Sequence, residues 1–212
     1  MNAYKTVKQT ASGEFVVNKS RFIGHAAPVE SEEAALAFLQ RIRQEHKDAT
    51  HNCYAYIIGQ NAGIIRYNDD GEPGGTAGMP ILEVIRARGV VNVCVVVTRY
   101  FGGILLGAGG LVRAYSHGSA IALDAAQVAV MEKSQRWWVE VAYSRWDTVL
   151  HNLKSLPVQI EKTEFATTVT STLLMREKDA AQVLSLIATL TDGQAEYLMI
   201  EEMYALWPEE TS

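Results

Sequence analysis

The glycine-dense stretch of residues 93–115 constrains the fold most strongly. Five of the 16 glycines fall within Gly102–Gly110. The saturated apolar run Val93–Val97 precedes them, and residues at helical spacing follow from Leu111. Glycine at this density is typical of backbone with positive φ, or of backbone that another group approaches closely. We therefore predict a covered strand, a glycine turn and a helix in succession, and we expect the functional face here.

A strand, a glycine turn and a helix N-terminus together can point backbone N–H groups at an anion. The stretch is not a Walker A loop, because no Gly-Lys-Ser/Thr follows it. It is not a dinucleotide fingerprint either, because Val112 stands where the third glycine is required. Two interpretations stay open: a tight turn that packs the helix on the sheet, or a ligand site.

The composition is that of a globular protein, with 48% apolar and 20% charged residues. No apolar run reaches the roughly 18 residues of a membrane span, and the N-terminus lacks a signal pattern. Cys53 and Cys94 lie in apolar strand-like runs and form no Cys-x-x-Cys pair, which favours buried, reduced thiols. We predict a cytoplasmic protein with no membrane partner.

The net charge of −5 is carried by the second part of the chain. Residues 1–132 contain 12 basic and 12 acidic side chains, and residues 133–212 contain 7 basic and 12 acidic ones. Counterion release requires clustered Lys and Arg, so the acidic second part is disfavoured as a general binder of phosphate backbones.

The first part is predicted to alternate strands with helices. Ser31 is a suitable helix N-cap, followed by Glu32 and Glu33 at the positive end of the dipole. A second helix is expected over residues 76–88, with Pro80 in its first turn. Strands are expected at residues 14–17, 21–25, 51–58, 64–67 and 90–98, with turns at 12–13 and 18–20 and a loop at 68–75.

The second part has the element order of a ferredoxin-like domain. Its pattern predicts βαββαβ, with Asp147 in the first turn of the first helix. The elements are expected at residues 138–143, 147–156, 158–163, 165–175, 179–190 and 195–204. We therefore predict an α+β fold of two domains, residues 1–132 and 135–208.

Three carboxylates lie in the predicted loop before the second helix. Asp69, Asp70 and Glu72 could supply ligands for Mg²⁺ or acid–base groups. They lack the spacing of a calcium loop, and acids in a glycine-rich turn are more often solvated turn formers. The second interpretation is favoured.

His51, Cys53 and His117 could form a metal site or a Cys-His nucleophile pair. His51 and Cys53 share one face of a predicted strand, but a four-ligand set is missing from the sequence pattern. Packing roles are favoured for both.

Basic and aromatic residues near the glycine turn form a weak nucleic-acid signature. Four arginines lie close in sequence, and three aromatic side chains could stack on bases. These residues are Arg86, Arg88, Arg99, Arg113, Tyr100, Phe101 and Tyr115.

Four segments together resemble the signatures of the IMPACT/YigZ family, in the family's order and spacing over residues 15–125. The chain after them resembles the small domain that bacterial members append. The segments are His51-Asn-Cys-Tyr, Asp69-Asp-Gly-Glu-Pro-Gly-Gly-Thr-Ala-Gly78, Val97-Thr-Arg-Tyr-Phe-Gly-Gly103 and Leu106-Gly-Ala-Gly-Gly-Leu-Val-Arg-Ala-Tyr115.

The resemblance implies an N-terminal α/β sandwich like domain 2 of a small-subunit ribosomal protein. It implies a ferredoxin-like C-terminal domain like the last domain of elongation factor G. Eukaryotic relatives restrain a starvation-responsive kinase through its ribosome-associated activator, partly with an N-terminal domain that this chain lacks. For this chain the resemblance implies translation-linked regulation or nucleic-acid binding.

One departure from the family's pattern concerns the glycine turn. The family often has a lysine or another polar residue within Gly-Gly-x-x-Leu-Gly, where this chain has Ile104 and Leu105. A missing cation at this position disfavours phosphate or RNA binding there.

We expect a non-enzymatic, translation-linked regulatory protein that binds RNA, the ribosome or a translation factor, without catalytic residues, metal or cofactor. The alternative is an enzyme of a phosphorylated or nucleotide substrate, with the glycine loop on the phosphate and Asp70 and Glu72 on a metal or as base. A monomer and a homodimer stay open. The predicted binding residues are Asp69, Asp70, Glu72, Thr76, Arg99, Tyr100, Gly102, Gly103, Gly107, Gly109, Gly110 and Arg113.

Overall fold

A computed structural model describes residues 3–208 and shows a mixed α+β protein, with five helices and ten strands in that range. The chain divides into two compact units. The first contains Ala3–Val130 together with residues 206–208, and the second contains Met131–Ala205. Among the described residues, no helix is both long and apolar enough to cross a bilayer.

The first unit contains a five-stranded antiparallel sheet of order β2-β3-β6-β4-β5. The strands that flank β6 are therefore far from it in sequence. The elements are β1 (Ala3–Val7), β2 (Ala11–Val17), β3 (Ser20–Pro28), α1 (Glu32–Glu45), β4 (His51–Ile58), β5 (Ile64–Asn68), α2 (Gly78–Ala87), β6 (Val93–Tyr100) and α3 (Gly107–Ala126).

Apolar residues cover β6 on both of its faces, as its uninterrupted apolar sequence predicts. Val95 and Val97 belong to the core that contains side chains of α2 and α3. Cys94 and Val96 belong to a second core that contains side chains of α1. The sheet is therefore sandwiched between α1 on one face and α2 with α3 on the other.

The start of α1 follows the predicted capping chemistry. The Ser31 hydroxyl accepts a hydrogen bond of 3.2 Å from the backbone N–H of Ala34. Glu32 and Glu33 occupy the first turn, where carboxylates interact favourably with the helix dipole. The N-cap prediction is confirmed.

Two glycines set how closely α3 approaches the sheet. A Cβ atom on Gly24 in β3 would lie 2.0 Å from the carbonyl oxygen of Gly118 in α3. A Cβ atom on Gly118 would lie 3.0 Å from Val97 Cγ1. Only residues without a side chain allow this backbone-to-backbone contact, so these two glycines are what lets α3 pack closely on the sheet.

The second unit has the ferredoxin-like strand order. Strand β7 pairs antiparallel with β9, β9 pairs antiparallel with β8, and β10 pairs with β7, which gives the order β10-β7-β9-β8. Its core contains residues of the sheet and of both helices. The elements are β7 (Val128–Ala142), α4 (Tyr143–Leu153), β8 (Val158–Phe165), β9 (Thr168–Arg176), α5 (Glu177–Leu190) and β10 (Glu196–Pro208).

Two predictions about the first unit are wrong in detail. Ser12 and Gly13 lie inside β2 rather than in a turn, and Gly13 faces α3, where a Cβ atom would lie 2.2 Å from Ile121 Cγ2. The strand predicted from Val90 begins only at Val93. Val90 lies outside it and makes an isolated parallel bridge to Lys5. The turn at Ser12 and Gly13 was predicted because glycine favours turns. The early start of β6 was predicted because Val90 and Val91 continue its β-branched run.

The glycine turn is shorter than predicted. Gly107, Gly109 and Gly110 lie in the first turns of α3 and not in the loop before it. The connection between β6 and α3 therefore consists of residues 101–106, which we call the apolar loop.

Helix α4 begins at Tyr143, so Asp147 is its fifth residue and not part of its first turn. The N-cap residue Ala142 makes no side-chain hydrogen bond, and the start of the helix therefore carries no sequence signal. The predicted domain boundary at residues 132–135 lies within β7, and the compact units divide after Val130.

Candidate functional site

A cleft of about 380 Å³ opens beside the N-terminus of α3 in the first unit, and we call it the α3 cleft. The polar side chains in its lining are Thr50, His51, Glu72 and Arg99. Its apolar walls include Pro73, Phe101, Leu105 and Leu111, and Gly107 and Ala108 contribute the start of the helix. Two of the predicted binding side chains, Glu72 and Arg99, thus face one concave surface.

The strand register brings the polar residues of the cleft together. His51 opens β4 and lies opposite Arg99 near the end of β6. The loop that follows β5 contributes Glu72 and Pro73 to the same lining. His51 and Arg99, which are 48 positions apart in sequence, therefore meet because β4 and β6 are antiparallel neighbours.

Glu72 and Arg99 form a buried ion pair beneath the cleft. Arg99 Nη1 donates to Glu72 Oε1 over 2.6 Å, and the two side chains are 6% and 3% exposed. The Tyr115 hydroxyl donates to the same oxygen over 2.7 Å. Burial, and then the neighbouring Cys53 and Glu72, raise the pKa of Tyr115 far above its usual value, so the phenol remains a donor.

The Arg99 guanidinium lies between two aromatic rings. Its central carbon is 5.5 Å from the centre of the Phe22 ring and 5.3 Å from that of Phe101. Although Arg99 is only 5% exposed, its Nε has no hydrogen-bond partner within residues 3–208. The site therefore contains a buried donor that the described chain leaves unused.

His51 and Cys53 are engaged in holding the acidic loop. His51 Nδ1 lies 2.7 Å from the Asp70 carbonyl oxygen, which can only accept, so this nitrogen carries the proton. The Cys53 thiol donates to the Asp69 carbonyl oxygen. Burial raises the pKa of Cys53 to about 12, which removes the thiolate that a nucleophile requires. The favoured packing role fits these contacts.

No three His, Cys, Asp or Glu side chains of the described range assemble into a set that could hold a metal. His117 lies apart from His51, with its ring 4.6 Å from that of Phe15. The three residues considered for a metal or Cys-His site do not form one constellation.

Asp69 organises the start of α2. Its Oδ1 accepts from the backbone N–H groups of Ala77 and Gly78 at 3.0 and 2.8 Å, and its Oδ2 accepts from Gly75 at 2.9 Å. Burial by itself would raise the pKa of Asp69, but these three hydrogen bonds lower it below its usual value. The carboxylate is thus a structural cap for the loop and the helix.

Asp70 is also committed to structure. Its Oδ2 accepts from the backbone N–H of Asn52, and its Oδ1 accepts from Arg43 Nη2, each over 2.7 Å. With Glu72 buried, the interpretation of the three acids as solvated turn formers is wrong, since each accepts at least two internal hydrogen bonds.

Other predicted binding residues shape the loops around the cleft. The Thr76 hydroxyl donates to the Pro73 carbonyl over 2.7 Å, and the Tyr100 hydroxyl lies 2.9 Å from His46 Nδ1. A Cβ atom on Gly102 would lie 2.0 Å from the backbone of Lys19, so a larger residue does not fit there. Gly103 has a positive φ of 83°, a conformation that favours glycine.

Arg113 faces a second cleft of about 390 Å³, which it lines together with Gly110, Phe15 and His117. Gly109 lies close to Arg113, since a Cβ atom on Gly109 would be 3.6 Å from Arg113 Nη1. Of the predicted binding residues, Arg113 is therefore separated from Glu72 and Arg99, which line the α3 cleft.

The basic and aromatic cluster inferred from sequence is dispersed. Arg86 pairs with Glu83, and Arg88 pairs with Asp124. Tyr115 is completely buried and cannot stack on a base. Proximity in sequence overstated this cluster, because a strand and two helices carry its members to different places.

The N-terminus of α3 is open. The N-cap residue Leu106 makes no side-chain hydrogen bond, and the first turn contains no acidic residue. Gly107 and Ala108 are exposed. The first backbone N–H groups and the positive end of a 20-residue helix are therefore free of any side-chain cap.

The apolar loop presents large side chains to solvent. Phe101, Ile104 and Leu105 are 45%, 43% and 84% exposed. From the sequence, Ile104 and Leu105 were noted only because they stand where the family often has a lysine or another polar residue. Sequence reasoning also did not assign Thr50, Pro73 or Leu111 to the site, although Pro73 and Leu111 lie within the segments that resemble the family.

Comparisons with known proteins identify the family. The Impact N-terminal domain model matches residues 18–123. The IMPACT family member YvyE of Bacillus subtilis is 38% identical over 196 residues, which cover 92% of this chain and 90% of that protein. The chain belongs to the IMPACT family. The resemblance noted from the motifs is confirmed.

Other comparisons extend the match over both units of this IMPACT family protein. A domain of unknown function, DUF1949, matches residues 139–194. The IMPACT family member YigZ of Escherichia coli is 34% identical over 190 residues, 88% of this chain and 92% of that protein. A crystal structure described as that of an hypothetical protein has a TM-score of 0.59 and 30% identity, and the match covers 95% of this chain and 98% of the other.

Proposed function

We propose that this IMPACT family protein is a non-enzymatic regulator that binds a polypeptide of the translation apparatus through its apolar loop. The observation that carries the proposal is the exposure of Phe101, Ile104 and Leu105 on one short connection. Adjacent apolar side chains that are exposed on a protein surface are typical of an interaction site. The partner class is a ribosomal protein or a translation factor.

The loop is held in place before any partner binds. The Phe101 N–H donates to Thr50 Oγ1 over 3.0 Å, and the Gly102 N–H donates to Ser20 Oγ over 3.1 Å. A preordered loop loses less conformational entropy when it binds than a mobile one. The apolar side chains are therefore displayed by a fixed backbone.

The state of the candidate reactive groups supports a binding role over catalysis. Asp69, Asp70 and Glu72 each accept internal hydrogen bonds, so none is a free metal ligand or base. Cys53 is held as a neutral thiol by burial.

A polypeptide partner fits the face better than a nucleic acid. Arg99 is buried against Glu72, and Arg43 is paired with Asp70. Ile104 and Leu105 occupy the part of the loop where a cation would contact phosphate. Counterion release requires exposed cations, and this loop offers apolar surface instead.

The link to translation is supported by the family resemblance and not by the site itself. For eukaryotic relatives the resemblance implies a kinase pathway, and for this chain we propose a different partner within the same process. Two buried free cysteines, Cys53 and Cys94, fit a reducing compartment such as the cytoplasm.

Sedimentation with purified bacterial ribosomes and with initiation and elongation factors tests the proposal. We expect wild-type protein to co-sediment, and Leu105→Gln to weaken binding at least about tenfold, because burial of one leucine contributes roughly 1.5–3 kcal/mol. The matched control is Leu36→Gln, which alters an exposed leucine of α1 on the opposite face of the sheet.

Three results would contradict the proposal. The first is recovery of the wild-type protein only in the supernatant at low salt, and the second is binding of Leu105→Gln as tight as that of Leu36→Gln. Equal binding to naked ribosomal RNA, lost in Arg113→Ala but kept in Leu105→Gln, would replace the polypeptide by RNA.

A further inference from the structure

We infer that the α3 cleft is a binding site for a carboxylate attached to an apolar group. The open N-terminus of α3, Thr50 and Arg99 would hold the carboxylate, and Phe101, Leu105 and Leu111 would contact the apolar group. The site shares Phe101 and Leu105 with the proposed interaction surface, and it adds a ligand that the proposed function does not assign.

The helix terminus provides the first half of the anion site. Gly107 and Ala108 line the cleft, so the first N–H groups of α3 border the space that a ligand would occupy. No side chain caps them, and no acidic residue of the first turn competes for the positive end of the dipole. Such a terminus stabilises a bound carboxylate oxygen.

Arg99 provides an independent indication of a ligand. The residue is 5% exposed and lines the cleft, yet its Nε has no hydrogen-bond partner within the described chain. A buried polar donor without a partner is unfavourable, and an oxygen atom of a ligand would supply the missing acceptor.

Thr50 adds a donor with a fixed position at the cleft. Its Oγ1 accepts from the Phe101 N–H over 3.0 Å, which sets the place of the hydroxyl. The hydroxyl proton has no acceptor among the residues that the structure describes, so it is available to the same ligand oxygen.

The charge balance favours a monoanion. Glu72 also lines the cleft, but its carboxylate accepts from both Arg99 and Tyr115 and is 3% exposed. What remains unbalanced is the helix terminus, which is equivalent to roughly half a positive charge. A single carboxylate matches that charge better than a phosphate dianion.

The apolar wall sets the rest of the ligand. Phe101, Leu105, Leu111 and Pro73 border a volume of about 380 Å³, within the range of small-molecule sites. A branched aliphatic or aromatic carboxylic acid fits this lining. The same chemistry is found in a free acid and in the C-terminal residue of a polypeptide.

Calorimetric titration of the full chain with N-acetyl-leucine and with its uncharged amide tests the inference. We expect the acid to bind at least about tenfold more tightly than the amide, because only the acid presents an anion to α3. A peptide ending in a free leucine carboxylate, with its amidated form as control, separates the two sources. Binding of the free acid identifies a small molecule, and binding of the peptide alone identifies a polypeptide terminus.

Ala108→Asp and Ala108→Asn form the matched pair of variants. An acidic residue in the first turn is favourable for a helix, so Ala108→Asp is expected to fold, while its charge repels a bound carboxylate. We expect Ala108→Asp to weaken acid binding at least about tenfold and Ala108→Asn to change it less than about threefold.

Equal affinity for acid and amide, no binding of either acid or peptide, or full binding by Ala108→Asp would overturn the inference. Ribosome sedimentation of Ile104→Gln, which alters an exposed residue of the apolar loop outside the cleft lining, is independent of these results, so failure of the ligand site and failure of the proposed partner site are distinguishable.

Discussion

Arg99 Nη1 lies 2.6 Å from Glu72 Oε1, and the described structure excludes water almost completely from both side chains. Removal of one charge from such a pair leaves the other buried without compensation. We expect Glu72→Gln to lower the free energy of unfolding by about 3 kcal/mol, measured by urea denaturation.

The control for this prediction is Glu14→Gln, which breaks an ion pair with Arg21 in which both side chains are at least half exposed. A solvated pair contributes less than about 1 kcal/mol. Equal losses for Glu72→Gln and Glu14→Gln would show that the buried pair has no special weight.

Substitution of Gly24 and of Gly109 by alanine is predicted to change stability in opposite directions, because only Gly24 contacts the backbone of Gly118. Gly24→Ala places a Cβ atom 2.0 Å from the Gly118 carbonyl oxygen, and we expect a loss of about 3 kcal/mol or failure to fold. Gly109→Ala lies in the exposed first turns of α3, where the nearest atom is the mobile end of Arg113 at 3.6 Å.

Alanine forms helices better than glycine, so Gly109→Ala is expected to raise stability by about 0.5–1 kcal/mol. Thermal unfolding of both variants measures the pair. A tolerated Gly24→Ala would mean that α3 does not approach the sheet as closely as described.

His25 predicts a loss of stability at mildly acidic pH. Burial, followed by the positive charges of His46 and Arg41, lowers the pKa of His25 to about 4. Between pH 6.5 and 4 the unfolded chain therefore binds a proton that the native protein excludes, so stability falls as pH falls. The full difference corresponds to about 3 kcal/mol.

Urea denaturation of the wild type at pH 7.5 and pH 5 measures this effect. We expect His25→Phe, which has no titrating ring, to lose much of the pH dependence. His151→Gln changes an exposed histidine of α4 and should keep it. An unaltered pH dependence in His25→Phe would contradict the assignment to His25.

The two cysteines predict an unreactive native protein. Burial raises the pKa of Cys53 to about 12 and the pKa of Cys94 still further. Both thiols therefore stay protonated at pH 8, and a dithiobis-nitrobenzoate reagent should modify neither of them in the native state.

After denaturation the same reagent should titrate two thiols per chain, which is the internal control. Because the unfolded chain ionises its thiols from about pH 8.5, stability should also fall as pH rises above that value. Rapid modification of either thiol in native protein would show that its burial is incomplete.

Periodicity and capping chemistry were sufficient to predict most of the fold. His51–Ile58 alternates between two cores, and Ser31 caps α1, because these signals are local and side-chain based. Boundaries failed where the sequence carries no such signal. Ala142 cannot cap α4, and the glycines of α3 are poor helix formers that the helix nevertheless includes.

The candidate site was predicted only in part, for a physical reason. The sequence motifs placed Glu72 and Arg99 among the predicted binding residues. They could not distinguish a solvated acid from a buried one. Burial depends on β4 and β6 being neighbours, a non-local pairing with no signature in either strand. Thr50 joins the cleft beside the same pairing, where its N–H donates to the Arg99 carbonyl oxygen, and it belongs to none of the quoted motifs.

The position of β6 between β3 and β4 also orders events during synthesis of the chain. The hairpins β2-β3 and β4-β5 form from adjacent segments, but no strand pairing joins them until residues 93–100 have left the ribosome. An isolated hairpin is at best marginally stable in water. A nascent chain that stops before Val93 therefore has no common sheet, arrival of β6 creates that sheet, and the cleft is completed only when residues 101–111 follow.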